Sequence, residues 1–443
     1  VKPSATGIVH FGPGAFHRAH QADYVDRLLA SDPSWGIAAV SLRSGATVEA
    51  LRRQKGRYTL AILDAAPEFR TIRAHSRVHG PGEDQAVRQL LLDPAIRIVT
   101  STVTEKGYCL AGDGTLDFIH ADIVHDLAHP EAPRSLVGWL ALALADRRAA
   151  GLAPFATICC DNMAANGDKL AAAVCAFAEP ELARWISGEA QFPNTMVDSI
   201  TPATDDALRR AVRDATGFDD AIPVAREAYA AWVIEDALPP GGPDLAAAGA
   251  IVTADVAQYE AAKLRILNGA HSALAYLGLA RGHDTVADAM ADAWLADFVA
   301  AMIRCEVIPT LRATFDLGAY AAATLARFRN PAIGHRLAQI AWDGSQKLPY
   351  RLLDTIADAR AAGRPFPRLA LVVAAWMRFV QRAGGDAVDP LAYRFAGLPG
   401  EDDALLDSLL ALRQVFPAAL ASDSEVRAAL RAGLGALKEE VHA

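Results

Sequence analysis

Ile8-Val9-His10-Phe11-Gly12-Pro13-Gly14-Ala15-Phe16-His17-Arg18-Ala19-His20 is the stretch on which the fold turns. A short strand-like run enters a pair of glycines, and over residues 21–30 Tyr24, Val25, Leu28 and Leu29 recur on one helical face. Strand, glycine turn and helix in that order can hold a dinucleotide pyrophosphate. The glycines let the backbone approach closely, and the helix N-terminus offers unpaired N–H groups to the anion. His17 stands where the usual G-x-G-x-x-G pattern has its third glycine, so the motif alone also fits an ordinary tight turn. Gly12, Gly14, Ala15 and Phe16 are the expected cofactor contacts, with His17 and His20 as possible caps of the turn and His10 as a buried strand residue.

Working outward, residues 37–42, 96–104 and 155–160 are further continuous β-like runs. Each reads as buried on both faces, which a parallel sheet sandwiched by helices requires. After about Thr253 the character changes: residues 259–279, 287–305, 318–328 and 369–382 are long, rich in Ala and Leu, and helical in period. The expectation is an α/β chain: a Rossmann-type N-terminal domain over residues 1–256 and a mostly α-helical C-terminal domain over residues 257–443. The Pro/Gly loop at 239–243 lies near the junction, and one more strand, residues 251–256, is expected to return to the first sheet.

The chain has 443 residues, 52% hydrophobic and 21% charged, as a well-packed globular protein does. Its net charge of −9 argues against general nucleic-acid binding, which is driven by clustered Lys and Arg. Five cysteines without a C-x-x-C pair suggest neither a disulfide scaffold nor a zinc ribbon, and there is no H-E-x-x-H. No metal is expected, and Cys159 and Cys160 read as core packing. Residues 1–7 lack the pattern of a signal peptide, and the apolar runs stop short of a membrane span. A cytoplasmic location, no membrane partner, and a monomer or small homo-oligomer are the expectation.

Past the junction, Glu260, Lys263, Asn268 and His271 share one side of a helix otherwise filled with Leu, Ile and Ala. At ~100° per residue, Lys263, Asn268 and His271 fall within ~140° of arc. A solvated amphipathic face is the plain alternative. Against it, Asn and His are weak helix formers, and Gly269 costs roughly 1 kcal/mol of propensity. Oxidation of an alcohol needs a base for the hydroxyl proton and donors for the developing oxyanion. A partly desolvated lysine and amide side chains meet those needs without a metal. Lys263 and Asn268 fit these roles, and His271 fits a substrate contact. A second amide, Asn162, follows the strand run 155–160 at its carboxyl end, where open α/β sheets bind ligands.

At these residues the chain resembles the long-chain polyol dehydrogenase family. The likeness rests on Gly12-x-Gly14-x-Phe16-His17-Arg18-Ala19-His20-Gln21, Thr102-Val-Thr-Glu105-Lys-Gly-Tyr108, Cys160-Asp-Asn162, Thr195-Met-Val-Asp198, Trp232-Val-Ile-Glu235-Asp236 and Lys263-x4-Asn268-x2-His271, and covers nearly the whole chain. It implies metal-independent hydride transfer with NAD on a small sugar acid or polyol. Lys263 would be the general base, Asn162 and Asn268 the oxyanion donors and His271 a substrate contact. Glu105 and Glu260 would lie near the proton path, Glu105 on the cofactor side and Glu260 on the substrate side, and Asp198 would be a substrate-side carboxylate. The stretch from His335-Arg336 to Lys347-Leu-Pro349 is similar to the branch acting on sugar acids of the mannonate/fructuronate type, with the mannitol type as the alternative. Arg336 and Lys347 are the expected partners of a sugar carboxylate. Arg43 follows the second strand run where an acidic residue would meet the ribose of NAD, which leaves NADP open. Two other classes fit the same motifs: a non-catalytic dinucleotide sensor, and a lyase using Lys263 as a Schiff base.

Overall fold

The computed structural model describes residues 1–440, with side chains to 438. By packing, the chain divides into two compact units, Val1–Ala257 and a second beginning at Gln258.

Unit 1 is built on five parallel strands: β1 (Thr6–Phe11), β2 (Gly36–Val40), β5 (His75–His79), β6 (Ile98–Ser101) and β7 (Ala156–Cys159), in the spatial order β5-β2-β1-β6-β7. Order reverses at β1, so the turns after β1 and β6 open at the switch point where such sheets take ligands. Alternation along the strands explains the continuous apolar runs. Val9, Phe11, Val40 and Val99 pack into one core with Trp139, Leu140 and Leu144; Ile8, Ile37, Ile98 and Ile158 pack into another with Tyr24, Leu28 and Trp232. Both faces are dry because helices cover both.

Two smaller sheets complete the unit. β3 (Tyr58–Leu63) pairs antiparallel with β4 (Glu68–Ile72) and parallel with β9 (Val224–Glu227). β10 (Ala231–Glu235) lies between β8 (Thr195–Asp198) and β11 (Ile251–Thr253). The strand expected over residues 251–256 therefore exists only as Ile251–Thr253, and it joins β10 rather than the first sheet. Its outer residues are exposed, so no second buried face recruits it inward. Its predecessor β10 supplies the free edge.

Unit 2 is helical throughout its described residues. Pro367–Ala383 runs through its core, and Gly433 of Ser424–Glu440 lets that helix approach closely, since a Cβ there would meet Ala374 at 3.0 Å. The helix expected over 287–305 is broken, because Asp292 accepts from the amides of Trp294 and Leu295 and starts a new one. The run 259–279 is interrupted by a π turn over Lys263–Asn268, flanked by Ala257–Ala262 and Gly269–Ala280. Further π turns occupy Ile303–Val307 and Pro349–Leu353. Among the described residues no helix is long and apolar enough to cross a membrane.

Candidate active site

In unit 1 the two glycines do different work. Gly12 has φ +89, and a Cβ there would lie 2.2 Å from the Thr102 carbonyl oxygen, so no other residue fits. Its own carbonyl accepts from Gly14 N–H at 2.7 Å and from the Thr102 hydroxyl at 2.7 Å, and lies 3.1 Å from His10 Nε2. His10 Nδ1 lies 2.7 Å from Thr100 Oγ1, a pattern that suits a neutral ring protonated on Nε2. Gly14 is exposed, and a Cβ there would meet nothing nearer than 3.9 Å. One glycine makes the turn and the other leaves room above it, as a pyrophosphate lying against the backbone would need.

His17 and His20 are not caps of the turn; both are buried and face inward. The His17 ring stacks on His10 with centroids 3.4 Å apart, and its Nε2 lies 3.0 Å from His75 Nε2. His20 Nε2 reaches the Ala231 carbonyl at 2.9 Å. Burial pushes His10 and His75 down to about 3, and His17 well down in the same direction, so this column is uncharged at neutral pH.

Around the turn, Arg43 is exposed and pairs with Asp122 at 2.5 Å. Asp122, His120 and Cys109 form a close group of three metal-type donors that the spacing in sequence did not suggest. None of the three is poised as a ligand. His120 Nδ1 accepts from the Asp122 amide, Asp122 holds Arg43, and burial pushes the Cys109 thiol up to about 11. Glu105 is exposed and opens the 3-10 turn Glu105–Tyr108, directly after Thr104 at φ +66. Asn162 is exposed on the loop after β7, and Asp198 is buried at the end of β8; both are engaged by neighbouring groups.

Two residues that sequence reasoning did not single out hold this rim. The Asp161 carboxylate accepts from Tyr108 Oη at 2.7 Å and Val103 N–H at 2.9 Å, tying the Glu105 loop to the Asn162 loop. Asn166 donates to the Thr195 carbonyl at 3.0 Å and accepts from its N–H at 2.9 Å, tying the segment after β7 to β8. Asp161 lies within the Cys160-Asp-Asn162 motif, whereas Asn166 carries no sequence signal.

In unit 2 the π turn alters the arithmetic of the polar face. Its hydrogen bonds close five residues apart, which underwinds the helix and narrows the angle between Lys263 and Asn268 below the ~140° of a regular α-helix. Both are half-buried, as is Glu260 one turn before; Lys263 and Glu260 are engaged by neighbouring groups. His271 is 6% exposed, packs on Phe328 at 4.4 Å and meets His335 edge-on at 5.2 Å. Burial, then the charge of His335, Arg351 and Arg327, holds it far below its ordinary pKa, and its buried Nε2 has no hydrogen-bond partner. Gly269 is explained by packing: a Cβ there would come within 3.0 Å of the Arg351 carbonyl oxygen.

The two residues expected for a carboxylate differ. Arg336 is exposed at the start of Leu337–Ala341. Lys347 is half-buried, and its ammonium donates to the Trp342 carbonyl at 2.5 Å. Burial and Arg351 lower its pKa. Asp343, which heads the short helix Gly344–Leu348 that carries Lys347, sits at φ +53. His335 and Arg351 were not singled out from sequence.

Residues 6–246 match the family model for the mannitol dehydrogenase Rossmann domain, and residues 255–438 match that for the mannitol dehydrogenase C-terminal domain. The chain is 39% identical to D-mannonate oxidoreductase of Escherichia coli, over 98% of this chain and 93% of that one. It is 36% identical to mannitol 2-dehydrogenase of Phaeosphaeria nodorum, over 98% of this chain and 79% of that one. Among solved structures, the Pseudomonas fluorescens mannitol 2-dehydrogenase ternary complex with NAD and D-mannitol matches with a TM-score of 0.82 at 37% identity. That match covers 99% of this chain and 92% of the other. On the sequence, the sheet order and these matches together, the chain belongs to the mannitol dehydrogenase family.

Proposed function

We propose that this protein is an NAD-dependent dehydrogenase that interconverts the secondary alcohol and ketone of a sugar acid of the D-mannonate/D-fructuronate type. The observation that carries the chemistry is the π turn, which brings Lys263 and Asn268 closer to one side of a helix whose next turn bears His271. The cofactor assignment rests on the Gly12 turn with open space at Gly14 and on likeness to a structure that holds NAD. NAD, held by Gly12, Gly14, Ala15 and Phe16, would supply the acceptor for hydride from the alcohol carbon.

The rest falls to the chain's own side chains. Lys263 takes the hydroxyl proton, and Asn162 and Asn268 donate to the oxygen as it gains negative charge. His271, kept neutral by burial, hydrogen-bonds the substrate through its unpartnered Nε2. Glu105 and Glu260 border the proton path, and Asp198 meets a substrate hydroxyl. Arg43, beside the turn, is where NADP would gain a contact; its pairing with Asp122 favours NAD. The domains divide the work, residues 1–256 for the dinucleotide and 257–443 for the sugar.

The test is absorbance at 340 nm with fructuronate, tagaturonate and fructose, each with NADH and with NADPH. Fructuronate with NADH is expected to give the highest kcat/KM. A preference for fructose would move the assignment to the mannitol type. No absorbance change with any pair would favour a dinucleotide sensor without catalysis.

A further inference from the structure

The π turn Pro349–Leu353 brings Arg351 beside the Asn268–Ser272 segment. Its backbone closes on Gly269, and its Nη1 donates to Ser272 Oγ at 3.2 Å. A guanidinium has five N–H donors in a planar fork, and the Ser272 hydroxyl occupies one of them. Among the described residues no carboxylate pairs with Arg351. Burial is the main influence on it, and it lowers the Arg351 pKa, as expected of a cation lacking an anion.

The surroundings point the same way. His271 Nε2 and His335 Nδ1 are buried without partners. Arg327 and Lys347 add positive charge to the same group of residues. The carboxylates that act on Lys347 are Asp343 and Asp389. Asp389 accepts from Ser345 N–H at 2.8 Å, Ser345 Oγ at 2.5 Å and Leu391 N–H at 2.8 Å, so its oxygens are already committed.

We propose that Arg351, with the Ser272 hydroxyl beside it, binds the carboxylate of the substrate and selects sugar acids over neutral ketoses. The inference rests on the reading that the Lys263–His271 face holds the sugar. A planar fork matches a carboxylate with two parallel hydrogen bonds, which the Lys347 ammonium, bonded to a backbone carbonyl, does not offer. Arg336, exposed to solvent, is the weaker anion ligand because water screens its charge.

Fructose and fructuronate differ only in a terminal CH2OH against a carboxylate, so their ratio of kcat/KM reads this contact. Arg351→Gln is expected to cut kcat/KM for fructuronate about a hundredfold while leaving that for fructose within about threefold. Arg351→Lys should restore part of the loss. Ser272→Ala, too mild to threaten folding, should lower the fructuronate value about fivefold with fructose unchanged. Equal losses on both substrates, or no loss on either, would overturn the proposal. Wild-type activity on fructose but not fructuronate would overturn it and leave the dehydrogenase assignment standing. Inactivity on both would remove that assignment and this contact together.

Discussion

His10 in unit 1 and His271 in unit 2 are both buried and both kept uncharged, yet their bonding is opposite. Each ring nitrogen of His10 meets a partner, and the ring clamps the Gly12 carbonyl. His271 Nε2 meets none, and Arg351 nearby has one hydroxyl for five donors. In unit 1 the Gly12 carbonyl and His10 are thus satisfied before any ligand arrives, although His17 Nδ1 and His75 Nδ1 in the same column are buried without partners. Unit 2 presents donors left over after folding. Leaving buried polar groups unpaired costs stability, and such groups persist where a ligand completes them. Binding of a dinucleotide suits the first arrangement, chemistry and substrate selection the second.

That contrast breaks most visibly at Lys263. Lys263→Ala should lower kcat about a thousandfold, the range of a lost general base, with NADH affinity by fluorescence titration unchanged. If affinity falls with turnover, the separation of roles between the units is wrong. Next in size is Gly12→Ala. A Cβ 2.2 Å from the Thr102 carbonyl at φ +89 should cost about 3 kcal/mol or more, read as a lower denaturant midpoint.

Acid tests the histidine column. His10 and His75 have folded pKa values of about 3, below the unfolded value of 6.5, so below 6.5 the unfolded chain binds more protons. Their contribution is complete above pH 6.5 and is lost as pH falls toward 3, at about 1.4 kcal/mol per pH unit for each ring. Urea unfolding at pH 7, 6 and 5 should show this slope, and His10→Gln should flatten it by one ring's share. An unchanged slope would mean that His10 is protonated in the folded protein. The smallest stability effect belongs to Gly14→Ala, within about 0.5 kcal/mol because the space is open, while NADH binding weakens about tenfold. Equal damage to folding at Gly12 and Gly14 would erase the distinction between them.

Much of the fold was readable because parallel strands buried on both faces write themselves as unbroken apolar runs, as residues 8–11 and 155–160 do. The strand at 251–256 misled because its neighbour is chosen by which edge is free, and a three-residue exposed strand carries no periodicity to show it. Asp161 and Asn166 escaped notice for a similar reason. Their partners, Tyr108 and Thr195, lie 53 and 29 residues away, and nothing local marks the pairing.

Residue order alone marked the strand–turn–helix unit at Gly12, the change from alternating to helical character after Thr253, and Lys263, Asn268 and His271 as candidates. Each depends on spacing within a few residues. Folding in three dimensions settled what spacing could not. It underwound the helix at Lys263–Asn268, fixed the Gly12 carbonyl on His10 and Thr102, and drew Arg351 against Gly269. All three join segments remote in the chain or replace an i→i−4 bond by a longer one, and such choices are made by packing and by the need to pair buried polar groups.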